Sequence, residues 1–289
     1  MMFRVTVGWV FVLVAGSAFA QAPAEPLRFK WQAGQVLHYS VEQVTTVTET
    51  TLDETTNQPV VAGTLTRMSL TKRWEVKAID PAGIATLELS IAAMKQELTR
   101  PGAIDKDGKP TVIKTLLDSA TPEGKQQMEA YLNKPVMTVK LDTLGRVVEA
   151  TAPGGSVERV RAELPFRISL PESLPAGGTW DRSFSIKLNP PLGTGEKHDA
   201  TQSYTTKPVK DGLAVFGVTT ALKNPPKDPA EMPPLVPMLW TGDVYFEPAT
   251  GRYIGARLTV KTEVANHQGE KTKFAYESQY SESLVAKSQ

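Results

Sequence analysis

The sequence contains no cysteine, only three histidines and no long apolar run after its first twenty residues. Each scarcity excludes something. Without cysteine there are no disulfides, thiolate metal sites or cysteine nucleophiles. His38, His198 and His267 lie far apart and form no HxH or HxxxH pair, so no metal site is expected. There is also no large excess of one charge: 32 basic residues stand against 31 acidic ones. A nearly neutral chain has no global field to recruit nucleic acid or an anionic membrane.

The one apolar run lies at the start. "MMFRVTVGWVFVLVAGSAFA" carries a single charge, Arg4, then apolar residues from Val5 to Ala15, then Ala18-Phe19-Ala20. That is the layout of a secretory signal peptide, expected to be cleaved after residue 20. The run is shorter than the ~20 residues that span a bilayer. With no cysteine to lipidate, the mature chain is expected to be exported, periplasmic or secreted, and not lipid-anchored. It should run over 21–289 as one β-rich domain, with 27–152 and 166–285 as two similar halves.

Most of that chain alternates. "VLHYSVEQVTTVTETTL" (36–52), "LTRMSLTKRWEVKAI" (65–79) and "IATLELSIAAMKQEL" (84–98) have the two-residue period of half-buried antiparallel strands. Strands return over 179–188, 198–209, 213–223, 240–247, 252–265 and 270–285. Counting from Val36 gives about eleven. The breaks share a chemistry: "DPAG" (80–83), "DTLG" (142–145), "PATG" (248–251) and "NHQG" (266–269) all end in glycine. Each suits a short hairpin loop whose last residue needs positive φ. Asp80, Asp142 and Asn266 can bond the turn backbone. Gly145-Arg146 and Gly251-Arg252 are therefore turn endings. Neither has the Gly-Lys-Ser/Thr of a phosphate loop.

Between Gly102 and Pro171 the period changes. Val112, Ile113, Leu116 and Leu117 mark one face of a helix. Thr121-Pro122 is a helix start, and Met128, Tyr131 and Leu132 form an i, i+3, i+4 stripe. Ser156 is placed to cap a third short helix with Val157, Val160 and Leu164 inward. Such stripes need cover, and a sheet face is the nearest. The six prolines of "NPPKDPAEMPPLVP" (224–237) favour an extended crossing.

Catalytic signatures are missing. "DKDG" (105–108) begins like a calcium loop, but its twelfth position is Leu116 where a Glu belongs. "SLTK" (69–72) matches S-x-x-K, yet sits in a strand where residues three apart face opposite ways. Trp31, Trp74, Trp180 and Trp240, near strand ends, are read as core or rim residues. No catalytic residue, metal or cofactor is assigned.

The pieces "WQAGQVLHY" (31–39) and "WEVKAIDPAGIATLEL" (74–89) resemble exported bacterial proteins of uncharacterised function, through Trp31, Gly34, Tyr39, Trp74, Val76, Asp80 and Gly83. These positions are structural, and the resemblance implies no activity. At fold level the pattern is similar to the periplasmic lipoprotein-carrier half-barrel, which curls one sheet around helices and holds acyl chains between. The resulting expectation is a mainly β, single curved antiparallel sheet or half-barrel with two or three short helices against its concave face. It would bind an apolar or lipid-like ligand without catalysis, on a site including Leu116, Leu117, Met128, Tyr131 and Leu132. The alternative is an envelope scaffold or protein-interaction module with a filled core and no ligand.

Overall fold

A computed structural model describes residues 26–104, 110–151, 157–188, 190 and 195–285. The leader 1–20, the "DKDG" segment and the Ser156 cap lie outside them. β1 (Val36–Leu52) and β2 (Pro59–Ile79) form a long hairpin, followed by β3 (Ala85–Ile104). β4 (Pro110–Asp118) pairs with the distal part of β3. After α1 (Pro122–Gln127), β5 (Pro135–Leu141) pairs with the proximal part of β3, and β6 (Val147–Thr151) pairs with β5. α2 (Val157–Ala162) and a crossover with turns at both ends lead to β7 (Thr179–Lys187). The chain then returns through β8 (Lys197–Lys210), β9 (Leu213–Leu222), β10 (Thr241–Glu247), β11 (Arg252–Ala265) and β12 (Lys273–Leu284).

The result is one antiparallel sheet in the order β6-β5-β3-β2-β1-β12-β11-β10-β9-β8-β7, with β4 off β3. The chain winds outward from the centre to one edge, crosses the concave face, and winds back from the other edge. β12 ends beside β1, pairing Tyr39 with Leu284 and Thr50 with Lys273. The two edges, β6 and β7, both touch α2, so the sheet curls until a short helix bridges its seam without closing it.

The reversals follow their local chemistry. Asp80 Oδ1 accepts from the backbone N–H of Ala82 and Ile84, and Asp142 Oδ1 does the same for Leu144 and Arg146. Gly83, Gly145, Gly251 and Gly269 all have positive φ. Gly145 and Gly251 are needed for a second reason: the segment 27–31 threads between their hairpins. Phe29 N–H donates to Thr143 O, and Lys30 N–H donates to Gly251 O. A Cβ on Gly145 would stand 2.6 Å from Phe29 Cε2, and one on Gly251 2.6 Å from Arg28 O. The repeated Gly-Arg turns are thus two clasps on one N-terminal strap.

The interior is packed. Leu164, Phe166, Ile168 and Leu170 of the crossover are all buried, the first two around a tight turn in which Arg167, at positive φ, donates its N–H to Leu164 O. Phe166 sits among five rings: Phe29, Trp31, Tyr39, Trp74 and Tyr253, with centroids 5.4–5.9 Å away. The proline-rich crossing adds Leu235 and Val236, both fully buried. The concave face is therefore lined inward by loops rather than by the segment 111–133.

That segment departs from expectation. Residues 110–118 form a strand, because Val112, Ile113, Thr111 and Thr115 are β-branched and β3 offers an unpaired edge. α1 forms as its signals require, with Thr121 Oγ1 accepting from Gly124 N–H. It does not lie on the concave face. Residues 119–134 bridge the gap on the edge of β3 between β4 and β5, where Ser119 N–H donates to Met94 O and Asn133 N–H to Ile91 O.

Candidate functional site

The seam holds an open groove of about 580 Å³. That volume falls within the ~300–1,000 Å³ of small-molecule sites. Val147 of β6 forms one wall and Trp180 and Phe184 of β7 the other; Leu164 and Leu170 of the crossover form the floor. α2 lies across it. The groove exists because the sheet stops short of closure, leaving apolar edge residues unpaired with another strand.

Its β7 wall is held rigidly. Trp180 stacks on Tyr204 at 5.2 Å and meets Phe216 edge-on. Its indole N–H donates to Ser169 O of the crossover at 2.8 Å. Between Trp180 and Phe184, Arg182 turns inward and lies over the Phe184 ring at 4.5 Å. Its guanidinium donates to Arg161 O (2.6 Å) and Ala162 O (2.8 Å), the open carbonyls at the end of α2. A third bond goes to Gln202 Oε1 at 2.9 Å, while Nε is buried without a partner. Arg182 thus ties the bridging helix to β7. Burial lowers its pKa from the usual arginine value, as expected for a desolvated cation without a carboxylate.

A separate buried cluster sits deeper, at the sheet centre. Glu282 of β12 accepts from Lys72 Nζ (2.9 Å), Tyr253 Oη (2.8 Å) and Tyr280 Oη (2.8 Å). Arg167 of the crossover stacks over the Tyr280 ring at 4.7 Å and reaches Glu163 at 3.4 Å. Burial pushes the Glu282 carboxyl up, but Lys72, Arg167 and the Tyr280 hydroxyl pull it further down, and the net shift is below the ordinary value. No fully buried side-chain polar atom of the cluster is left without a partner. The cluster latches the crossover to the sheet and offers no open position to a substrate.

The residues expected from sequence to line a site do not converge. Leu116 is 59% exposed on β4 and Tyr131 63% exposed after α1. Leu117 and Leu132 are half-buried, and Met128 is buried beneath α1. All five lie along the β3 edge, away from the seam. Arg146 lines the seam groove, whereas Arg252 lines another cavity of about 500 Å³ with His38, so the two Gly-Arg arginines serve different sites. No serine or carboxylate joins His38 there. His198 Nε2 is buried without a partner, and His267 Nε2 faces Glu49 Oε1 at 3.0 Å. Among the described residues no cluster of His, Asp or Glu is arranged to hold a metal.

The groove residues sequence reasoning missed are Arg182, Phe184 and the crossover apolars. The period-two series Trp180, Arg182, Phe184, Ile186 was a visible signal, since it puts an arginine on an otherwise apolar inward face.

No family model and no curated protein matches the chain. Among solved structures it is similar to lipovitellin, in a study of lipid–protein interactions, at 15% identity and a TM-score of 0.49. That match covers 89% of this chain and 26% of lipovitellin, so the chain spans about a quarter of that protein. It is also similar to an outer membrane channel from Pseudomonas putida F1, at 7% identity and a TM-score of 0.23, over 92% of this chain and 100% of the channel. At these scores neither neighbour bears on what this chain binds.

Proposed function

We propose that this is an exported, non-enzymatic binding protein for an apolar or lipid-like ligand, and that the seam groove is its site. The carrying observation is the groove itself: about 580 Å³, walled by Trp180, Phe184 and Val147, and prebuilt by hydrogen bonds that need no ligand. Concave, mostly apolar and preformed sites with a few fixed polar groups are the usual form of ligand pockets. The leader-like start of the chain supports export.

The packed lumen favours a second reading, a scaffold whose core is filled and which takes no ligand. One titration separates the two. The uncharged apolar dye N-phenylnaphthylamine should bind the purified chain with one site, and Val147→Trp, which fills the groove mouth, should abolish binding without changing the circular dichroism spectrum. No binding by the parent chain supports the scaffold. Undiminished binding by V147W places the ligand elsewhere.

A further inference from the structure

The seam groove joins an apolar wall to a half-buried cation that has no carboxylate partner among the described residues. Three cations face the interior of the sheet among the described residues. Lys72 has Glu282 at 2.9 Å and Arg167 has Glu163 at 3.4 Å. Arg182 has only neutral partners among the described residues, two backbone carbonyls, an amide oxygen and the Tyr204 hydroxyl, and its Nε has none. A desolvated charge is costly unless something of opposite sign meets it. Among the described residues nothing does, yet the groove opens beside it.

Two more guanidiniums enter the same lining. Arg161 projects from α2 and is exposed, with a single long contact of 3.4 Å to Val148 O. Arg146 pairs at 3.3 Å with Glu172, itself well exposed. The lining also includes two exposed carboxylates: Asp181, which alternates to the opposite face of β7 from Arg182, and Glu158, which shares the α2 face of Arg161. The lining is thus apolar with three guanidiniums, Arg146, Arg161 and Arg182, against two carboxylates. A guanidinium fork matches the oxygens of a carboxylate or phosphate, and charge-assisted bonds of this kind are the strong ones.

We propose that the groove binds a single-chain amphipath with one anionic head, its chain along Trp180, Phe184, Leu164 and Leu170 and its head against Arg182 and Arg161. The inference rests on the reading of the groove as an apolar-ligand site and adds the head-group chemistry. Carboxylate and phosphate heads share it, so a fatty acid and a phosphate-headed lipid both qualify.

The test is calorimetric titration of the full mature chain with dodecanoate, dodecyl phosphate and dodecanol, which share one chain. One or both anions should bind, and dodecanol about tenfold more weakly, the scale of losing a charged hydrogen bond. Which anion binds tighter identifies the head. Arg161→Gln should weaken the anions about tenfold and leave dodecanol unchanged. Arg159→Gln, on the same helix and outside the groove lining, should change neither. Dodecanol binding as tightly as the anions overturns the head-group inference and leaves the apolar site standing. So does equal weakening by R159Q and R161Q, which would mark a diffuse charge effect. Failure of all three ligands to bind overturns the site itself. Because Arg161 is exposed, its substitution should leave the fold intact, which the unchanged dodecanol affinity verifies.

Discussion

Replacing Glu282 with glutamine should lower stability by ~3 kcal/mol, the lower end of the cost of breaking a buried ion pair from one side. The size follows from what the carboxylate holds. It accepts three donors at 2.8–2.9 Å, and its removal leaves Lys72 without its carboxylate at the sheet centre and Arg167 with Glu163 alone. Two features keep the figure at the low end: glutamine retains one acceptor, and the Lys72 side chain is 17% exposed. With a urea slope of ~3 kcal/mol/M, the unfolding midpoint should fall by about 1 M. The Lys72→Met, Glu282→Gln pair should be non-additive by ~2 kcal/mol in a double-mutant cycle. The pH dependence has a definite sign. The folded pKa of Glu282 is depressed, so its contribution is present above the ordinary value of 4.5 and is lost as pH falls through the folded value. The parent chain should therefore lose stability on acidification more steeply than E282Q. A midpoint shift under about 0.3 M, or additive single mutants, would refute the claim that this cluster latches the crossover.

Phe166→Ala should cost ~3–5 kcal/mol in chemical denaturation, because five rings close around a side chain that nothing else can replace. Gly251→Ala should lower the melting temperature clearly more than Gly212→Ala. Both need positive φ, but only at Gly251 would the added Cβ strike the N-terminal strap. Equal shifts would mean the strap moves aside freely. Leu116→Ser and Tyr131→Ser should each change stability by no more than ~0.5 kcal/mol and leave dye binding untouched, since both side chains face solvent.

Strands and turns were legible because their causes are local. The glycines of "DPAG" and "DTLG", with the aspartates that bond their own loops, predict reversals now seen at Gly83 and Gly145. The alternation of 36–52 and 252–265 matches β1 and β11 to the residue. The segment 110–118 misled because Val112, Ile113, Leu116 and Leu117 fit a helical face equally well. Periodicity cannot report that the distal edge of β3 stood open to receive a strand. The groove was not legible for a related reason. Val147 and Trp180 meet only because an eleven-strand path curls back on itself and α2 spans the gap. Nothing near either residue encodes that approach. The Glu282 cluster lay between: its inward position follows from the alternation Tyr276, Ser278, Tyr280, Glu282, but its partners come from β2, β11 and the crossover.

The most direct measurement of the central claim uses Trp180 itself as the reporter. A bromine-labelled dodecanoate quenches only an indole that its chain touches. Titrated into the parent chain, it should quench a saturable fraction of tryptophan fluorescence, and Trp180→Phe should remove that saturable fraction while Trp74→Phe retains it. Quenching that persists undiminished in W180F, or no saturable quenching in the parent chain, would contradict a ligand in the seam.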